Sequence, residues 1–486
     1  MRDEVLRMSD VTYREQGVVQ LEDFNLNVFE GEIMGIILRN GHGMTALCRL
    51  LETNAPLERG YIYYREQMVN SWRAPHPHDN RIAVIRGQSK LVGGLTVADN
   101  IFVLRPGFKT FVIRPAVLMG QVQPMLDSLD VNIAADAYAD TLTPFECVVV
   151  ELVKAVVAGC RLIILREISA VISEPELERL RAILRHYAER GVSFLYIGLH
   201  YEEMMQICSR VAVYANGRIL KVFLPEDGAV PYDERYLRLV REQMTHPEEG
   251  AAPALDVRGL TGGALCGLSF TAAAGECVVV QDLQNSILRD LTDMLQGERP
   301  IEAGEIRLEG KPFRPGTSRD MAVIAEQPDV SMVFEQMSYL DNLCMTVDHR
   351  VPEVWRSRRT RMGIQKEWER TVGDALFAVH PAQLSKPQKY DLVYQRILLQ
   401  RPRVVFCVQP FKGADVNLRM HIWELLRRVM ASGAALVILA VNLADTFTLA
   451  TRLVQVENGK AVRVYEQSDF DSLPFTAPWL DLYSKD

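Results

Sequence analysis

The chain has 486 residues and a formal net charge of −8, with 54 lysines and arginines against 62 aspartates and glutamates. Apolar residues make up 48% of the chain and charged residues 24%, which is typical of a protein with a large buried core. This composition excludes a disordered, collagen-like or coiled-coil chain. The acidic balance argues against nucleic-acid binding, because neutralising phosphates requires clustered lysine and arginine.

The residues MRDEVLRMSD at the start lack the apolar stretch of a secretory signal. The longest apolar stretches, such as 433–443, are shorter than the roughly 18 residues that a membrane-spanning helix needs. The eight cysteines are scattered, with no CxxC pair, so we expect reduced core thiols. Together these features predict a cytosolic location.

An internal repeat organises the chain. The segment FEGEIMGIILRN at 29–40 resembles AAGECVVVQDLQ at 273–284, an offset of 244 residues. Two further pairs, beginning at Arg161 and Arg403 and at Glu189 and Ala431, each have an offset of 242 residues. Matched pairs in order at a nearly constant offset indicate a tandem duplication. The predicted organisation is a first domain at 1–245, a linker at 246–254 and a second domain at 255–486, with a last helix of the first half at 235–244.

Short apolar runs alternate with amphipathic stretches in each half. Ile33–Leu38, Leu162–Leu165 and Phe194–Ile197 are continuous apolar runs, as expected for strands buried in a parallel sheet. Residues 174–190 and 417–430 show helical periodicity between such runs. The pattern predicts an α/β architecture in two similar lobes.

Several segments resemble the ATP-binding-cassette ATPases. Residues 95–102, LTVADNIF, are similar to the LTVAENIF segment of sugar-import members, and 191–204 are similar to their GVxxIYISHxxEE segment. Each half closes on a VxVxxxG-like segment, at 211–217 and 453–459. The likeness covers nearly the whole chain and extends to the duplicated subunit that powers simple-sugar importers.

The resemblance implies an α/β fold of two tandem P-loop-NTPase-like lobes, each with a parallel-sheet core, an antiparallel β part and a helical subdomain. It also implies ATP and Mg²⁺ as cofactors. The implied partners are membrane permease subunits and a solute-binding protein, and the implied location is the inner face of the cell membrane. A family fold does not by itself establish activity, which depends on the residues of the site.

The phosphate-binding P-loop of the first half is altered. The pattern GxxxxGK[ST] supplies backbone N–H groups and a lysine to phosphates and a hydroxyl to Mg²⁺. Here Leu38 replaces the first glycine, which we expect to make the turn harder to form, and Met44 replaces the lysine. The positions that match the motif, and that by resemblance form a residual nucleotide site, are Asn40, Gly41, Gly43 and Thr45.

The second half departs further from the same motif. Residues 282–289, DLQNSILR, have no glycine, lysine or hydroxyl at the required places. Asp282 also adds a negative charge where phosphates would lie. This loop is predicted not to bind a triphosphate.

The Walker B strand of the family ends in Asp-Glu, for Mg²⁺ and for the attacking water. In the first half Glu167 matches the catalytic glutamate, but Arg166 replaces the metal-binding aspartate, so no metal ligand is assigned. Two interpretations remain open: Arg166 forms a local ion pair with Glu167, or it reaches the metal position and replaces its charge. The second half has Val408 and Gln409 and loses both carboxylates.

The LSGGQ segments, which cap the γ-phosphate of the opposite lobe, read LTPFE at 142–146 and LSKPQ at 384–388. Pro144 and Pro387 have no N–H to donate, whereas Thr143 and Ser385 keep hydroxyls. In this family one site joins a P-loop to the other lobe's LSGGQ segment. Site one would therefore join the first P-loop to Ser385.

Two further positions depart from the family pattern. The switch histidine aligns with Leu199, one residue before His200, whose side chain is predicted to point away from the site. The Q-loop glutamine aligns with Gly87, beside Gln88. Both shifts weaken the case for hydrolysis.

Two remaining clusters favour ordinary surface roles. His76 and His78 with Asp79 could form a metal patch, but no further ligand is in view and a solvated loop is favoured. The basic run at 356–361 could contact a membrane, nucleic acid or a permease, and a solvated helix face is favoured.

The leading hypothesis is a non-hydrolysing, duplicated cassette protein that acts as a structural or regulatory subunit docked on a permease. The first alternative is a motor that still binds ATP at site one and powers sugar import. The second is a scaffold or binding module detached from transport. Coordinated loss at both P-loops and both Walker B strands favours the leading hypothesis. Thr45, Glu167 and Ser385 favour the motor, whereas Met44 and Arg166 oppose it.

Overall fold

The protein, described by a computed structural model, forms two compact units, one on each side of residues 225–252. The structure describes residues 3–15, 17–73, 80–102, 115–224, 253–316, 320–346, 358–373, 377–378, 380–443 and 446–472.

Two sheets form the framework of the first domain. The strands are β1 (Glu4–Glu15), β2 (Val18–Phe29), β3 (Ile33–Leu38), β4 (Arg59–Tyr64), β5 (Gln67–Ser71), β6 (Ile82–Arg86), β7 (Leu162–Arg166), β8 (Ser193–Gly198), β9 (Arg210–Ala215) and β10 (Arg218–Phe223). An antiparallel sheet has the order β2-β1-β4-β5, and a six-stranded sheet has the order β10-β9-β3-β8-β7-β6. In the larger sheet the strands from β9 to β6 are parallel, and β10 is antiparallel to β9.

The helices of the first domain connect these strands. They are α1 (Met44–Thr53), α2 (Val97–Phe102), α3 (Pro115–Asp127), α4 (Pro144–Val157), α5 (Glu174–Ala188) and α6 (Tyr201–Ile207), with short 3-10 helices at Ala139–Thr141 and Ile168–Ala170.

The second domain repeats this framework. Its strands are β11 (Pro253–Gly262), β12 (Leu265–Ala273), β13 (Cys277–Asp282), β14 (Ala303–Leu308), β15 (Lys311–Pro312), β16 (Met321–Ile324), β17 (Val404–Val408), β18 (Ala435–Ala440), β19 (Arg452–Glu457) and β20 (Lys460–Glu466). Its helices are α7 (Leu288–Gln296), α8 (Pro328–Ser331), α9 (Tyr339–Cys344), α10 (Arg358–Val372), α11 (Lys386–Gln400) and α12 (Val416–Ala431), with 3-10 helices at Pro381–Gln383 and Gln467–Ser472.

The sheet order confirms the duplication. The second domain has an antiparallel sheet β12-β11-β14-β15 and a six-stranded sheet β20-β19-β13-β18-β17-β16. Each position matches a strand of the first domain in the same place and direction. The predicted α/β fold with two similar lobes is therefore correct.

Burial explains why the apolar runs form central strands. Every residue of β3 is buried, and so is every residue of β13, because both faces of each parallel sheet are covered. A separate apolar cluster in the second domain joins α9, α10 and α11 around Tyr339, Leu343 and Leu392. No helix in the described part of the chain is long and apolar enough to cross a membrane.

The cysteine prediction holds with one exception. All eight cysteines are free thiols, five of them are buried, and Cys147 and Cys344 are half-buried. Cys266 is exposed, so the prediction of a core thiol is wrong there. Leu265 and Leu268 of the same strand, β12, are buried, so Cys266 is exposed because its side chain lies on the uncovered face of the antiparallel sheet.

Some predicted features lie outside the described residues and stay predictions. These features are the helix at 235–244, most of the linker at 246–254, the cluster of His76, His78 and Asp79, and the side chains of the basic run at 356–361.

Candidate functional site

The loop between β3 and α1 keeps a strand–loop–helix form. Gly43 has a φ of 76° directly before α1, and a Cβ there would lie 2.0 Å from the carbonyl oxygen of Gln20. Only glycine fits this position without a backbone shift. Leu38 is the last, buried residue of β3, and the left-handed turn falls at Gly43. The expectation that Leu38 hinders the turn is therefore wrong.

Asn40 anchors this loop to the turn that joins β9 to β10. Its Nδ2 donates to Asn216 Oδ1 at 2.7 Å, and the Asn216 backbone N–H donates back to Asn40 Oδ1 at 3.0 Å. The second domain has the same pair in Gln284 and Asn458, at 3.1 and 2.9 Å. The side chain that resemblance assigned to nucleotide binding thus has a structural role within its own domain.

Met44 contributes to the core of the first domain. Its side chain is fully buried in the apolar cluster that also contains Leu38 and Leu199. The replacement of lysine by Met44 therefore does more than remove a charge, because the side chain has become part of the packing under the sheet.

Arg166 connects the end of β7 to the start of α1. Its Nη1 donates to Thr45 Oγ1 at 3.0 Å, and its Nε donates to Glu167 Oε1 at 3.1 Å. Both interpretations of the sequence therefore apply: Arg166 pairs with Glu167 and also reaches the hydroxyl that resemblance assigns to Mg²⁺. Glu167, with a φ of 54°, turns the chain out of the strand.

Arg86 places a second cation beside Arg166. The two residues are register partners on the parallel strands β6 and β7, so their side chains lie on the same face of the sheet. Burial raises the pKa of the Cys48 thiol on α1 to about 11, and the charges of Arg166 and Arg86 oppose that rise. Both guanidinium groups are thus close enough to α1 to affect the same thiol.

In the second domain the corresponding loop is closed by Asp282. This residue ends β13, and its carboxylate is buried. Oδ2 accepts from the backbone N–H of Ile287 at 2.7 Å, and Oδ1 accepts from that of Gln284 at 3.2 Å. Burial raises the pKa of this carboxyl, and hydrogen bonds from Ile287, Gln284, Ser286 and Leu288 oppose the rise. An internal carboxylate thus accepts the N–H groups that a P-loop offers to phosphate.

The two LSGGQ-like segments form helix N-caps. The Thr143 hydroxyl accepts from the backbone N–H of Glu146 at 3.3 Å, and the Glu146 carboxylate accepts from the backbone N–H of Thr143 at 2.8 Å. Ser385 and Gln388 form the matching capping box at the start of α11. The retained hydroxyls therefore satisfy the helix ends of their own domains.

Comparisons with known proteins show what this chain is similar to. Residues 21–170 match the family model described as ABC transporter. A ribose import ATP-binding protein of Rubrobacter xylanophilus is 25% identical over 481 residues, which are 96% of each chain. The chain is therefore similar to ATP-binding-cassette proteins over nearly its whole length.

Two other comparisons show a similar likeness. The galactose/methyl galactoside import ATP-binding protein of Sodalis glossinidius is 22% identical to this chain over 475 residues, 94% of each chain. In solved structures, a complex of an archaeal ribosome recycling factor with a ribosomal stalk protein gives a TM-score of 0.58 at 14% identity. That match covers 94% of this chain and 90% of the other, and it shows a common fold.

At the switch position of the first domain, the His200 side chain lies away from the P-loop, as predicted. Leu199 belongs to the buried cluster beneath α1, whereas His200 Nδ1 lies 3.8 Å from Glu203 Oε2. Glu203 is buried and also accepts a hydrogen bond from the hydroxyl of Tyr196. His200 therefore belongs to a polar cluster behind the sheet.

The predicted site residues fall into two groups. Gly43, Thr45, Arg166 and Glu167 come together at the carboxyl edge of the first parallel sheet, where α/β proteins bind ligands. Ser385 belongs to the second domain, and its pairing with the first P-loop stays a prediction.

The residues present do not fit Mg²⁺. The family places the metal between the P-loop hydroxyl and a carboxylate, and here the guanidinium of Arg166 lies 3.0 Å from Thr45 Oγ1 instead. A cation at that point repels a divalent metal ion, and Glu167 is paired with the same guanidinium.

The sequence patterns did not predict the roles of two residues at these loops, Arg86 and Asp282. Arg86 is the last residue of the apolar run in β6 and directly precedes the Gly87-Gln88 pair, so its position at a strand end was available as a signal. The sequence offered less indication that the Asp282 carboxylate would accept hydrogen bonds from its own loop. An aspartate between a strand and the start of a helix is nevertheless a common local acceptor.

Proposed function

We propose that the chain is a non-hydrolysing subunit of a sugar importer, docked on the permease at the cytoplasmic face of the membrane. The observation that carries the proposal is the bond from Arg166 to Thr45, which puts a fixed cation where catalysis needs a metal. Hydrolysis of ATP depends on a metal that neutralises the developing phosphate charge. A guanidinium paired with Glu167 also keeps that carboxylate from polarising water.

The second domain supports the same proposal by a different route. Asp282 accepts the N–H groups of its own loop, and Val408 and Gln409 follow the strand where the family has two carboxylates. A phosphate in this loop would have to displace a buried carboxylate that is already hydrogen-bonded. Hydrolysis is therefore opposed separately in each domain.

Docking on a permease is supported by the extent of the likeness. The relatives named as sugar import ATP-binding proteins match over 94–96% of both chains, so the likeness extends across both domains. The described fold is retained in both domains, with intact cores. A protein that keeps the whole fold while changing its site residues is expected to act through its surfaces. A solute-binding protein would complete the system, and no nucleic acid is involved.

Membrane retention tests the docking part of the proposal. The purified chain is added to inside-out vesicles that hold the permease subunits of a simple-sugar importer from its own organism, and bound chain is measured after washing. We expect retention only in vesicles with permease. Glu167→Gln serves as the matched variant and should be retained equally, because docking does not depend on the catalytic carboxylate.

The two alternatives give different results in this assay. Equal retention with and without permease contradicts docking and favours a detached scaffold. Retention accompanied by ATP turnover that Glu167→Gln abolishes contradicts the non-hydrolysing assignment and favours a motor. The presence of Thr45 and Glu167 is the observation that keeps the motor in the comparison.

A further inference from the structure

The first P-loop differs from the second in what its backbone N–H groups contact. Within the described chain, no acceptor bonds the backbone N–H groups of Asn40, His42 and Gly43. At the offset of 244 residues these positions correspond to Gln284, Ser286 and Ile287, which all donate to Asp282. The second loop therefore offers its N–H groups to an internal carboxylate, while Leu38 supplies no acceptor in the first. The left-handed residue is Gly43 in the first loop and Asn285 in the second, so the two backbones differ.

The two domains also differ in the arginines that lie near these loops. Arg86 and Arg166 end neighbouring strands in the first domain, and Arg86 Nε is buried without an acceptor among the described residues. In the second domain the last register pair is Ile324 and Cys407, and the residues that follow them, at the places of the two arginines, are Ala325 and Val408. The domain with an internal carboxylate thus lacks the cations, and the domain without one has two.

The two arginines leave a positive charge at the first P-loop after their ion pairs are counted. Glu167 compensates one guanidinium through its contact with Arg166 at 3.1 Å. The other guanidinium, of Arg86, makes no ion pair with a described residue. The N-terminus of α1, a helix of ten residues, adds the positive end of its dipole beside Thr45.

We propose that the first P-loop binds a phosphate group without a divalent cation, with the guanidinium of Arg166 in the place of the metal. Phosphate oxygens accept hydrogen bonds from backbone N–H groups and from a planar guanidinium fork. The ligand is a nucleotide or a free polyphosphate, which share this chemistry. The inference rests on the proposed loss of metal-dependent hydrolysis, since the ligand is held and not cleaved.

Calorimetric titration of the full chain with ADP and with inorganic pyrophosphate, each in EDTA and in excess Mg²⁺, tests the inference. We expect saturable binding in EDTA that Mg²⁺ leaves unchanged or weakens. Arg166→Gln should weaken binding at least about tenfold, since it removes a charged donor. Arg190→Gln is the matched control, because Arg190 is an exposed arginine of the same domain that contacts the His186 carbonyl.

The two ligands identify the source of the phosphate. Tighter binding of ADP indicates a nucleotide, and equal binding of pyrophosphate indicates a polyphosphate alone. Arg86→Gln is the second variant, needed if Arg166→Gln lowers the melting temperature, and it should also weaken binding.

Three results overturn the inference. They are no saturable binding of either ligand up to millimolar concentration, binding that requires Mg²⁺, and equal weakening by Arg190→Gln. Failure here is distinguishable from failure of the proposed function. A chain that neither binds nor hydrolyses keeps the proposed function, whereas a chain that binds in EDTA and also hydrolyses ATP loses only that function.

Discussion

The backbone N–H of Ile287 donates to the carboxylate of Asp282 at 2.7 Å, so the P-loop of the second domain closes on its own chain. The loop has kept the architecture of an anion site and has replaced the ligand by a side chain. This arrangement explains how a segment without glycine or lysine still forms a turn between β13 and α7.

Removal of this carboxylate should destabilise the second domain. Asp282→Ala leaves several buried N–H groups without an acceptor, each of which costs about 1–3 kcal/mol, so we expect a loss of at least about 2 kcal/mol. The measurement is urea unfolding followed by the fluorescence of buried Trp423. Glu335→Ala, at an exposed position of the same domain, should change the unfolding free energy little. Equal stability of the Asp282 variant and the control would show that these bonds are unimportant.

The two glycines of the first P-loop should respond differently to alanine. Gly43→Ala forces a Cβ to within 2.0 Å of the Gln20 carbonyl oxygen at a φ of 76°, and we expect it to destabilise the first domain by more than about 2 kcal/mol. Gly41→Ala is the control, because nothing lies within 4 Å of its Cβ and its φ is not positive. Thermal unfolding of both variants gives the comparison, and equal midpoints would contradict the described backbone.

His421 and Asp391 should make the stability of the second domain depend on pH. His421 Nε2 on α12 lies 2.9 Å from Asp391 Oδ1 on α11, and this partner raises the pKa of the histidine above its usual value. A raised folded-state pKa contributes stability that is fully present below about pH 6.5 and is lost as pH rises through the higher value. The contribution is at most about 1.4 kcal/mol for each unit of pKa difference.

Unfolding of the full chain over about three pH units around the histidine pKa, from roughly pH 5.5 to 8.5, measures this dependence. We expect His421→Gln to remove part of the decline in stability towards high pH. His186→Gln is the control, since His186 has no carboxylate partner among the described ion pairs and its pKa is lowered by burial. A decline of the same size in His421→Gln would contradict the assignment to this pair.

The sequence was sufficient for the fold because burial in these domains follows simple periodicity. The run at 33–38 matches β3 residue for residue, and the helical period at 417–430 lies within α12. The duplication fixed the remaining strands, since each half repeats the other's order. Cys266 shows the limit, because its neighbours in the sequence do not reveal which face of β12 is covered.

The site was less predictable, because its key contacts join residues far apart in the chain. Arg166 and Thr45 are 121 positions apart, and the sequence alone left two roles open for Arg166. Asn40 was assigned to nucleotide by its motif position, yet its amide pairs with Asn216 across 176 positions. A motif gives the position of a residue in the chain. Which residue its side chain contacts depends on which strands are neighbours in the sheet.

Release of inorganic phosphate from Mg²⁺·ATP tests the central claim most directly. The chain is assayed on permease-containing vesicles beside Glu167→Gln and beside Glu189→Gln, a control at the exposed end of α5. Because Arg166 lies on the Thr45 hydroxyl and pairs with Glu167, we predict that all three proteins release phosphate only at the background rate of vesicles alone. Release by the unaltered chain and by Glu189→Gln that disappears in Glu167→Gln would contradict the account.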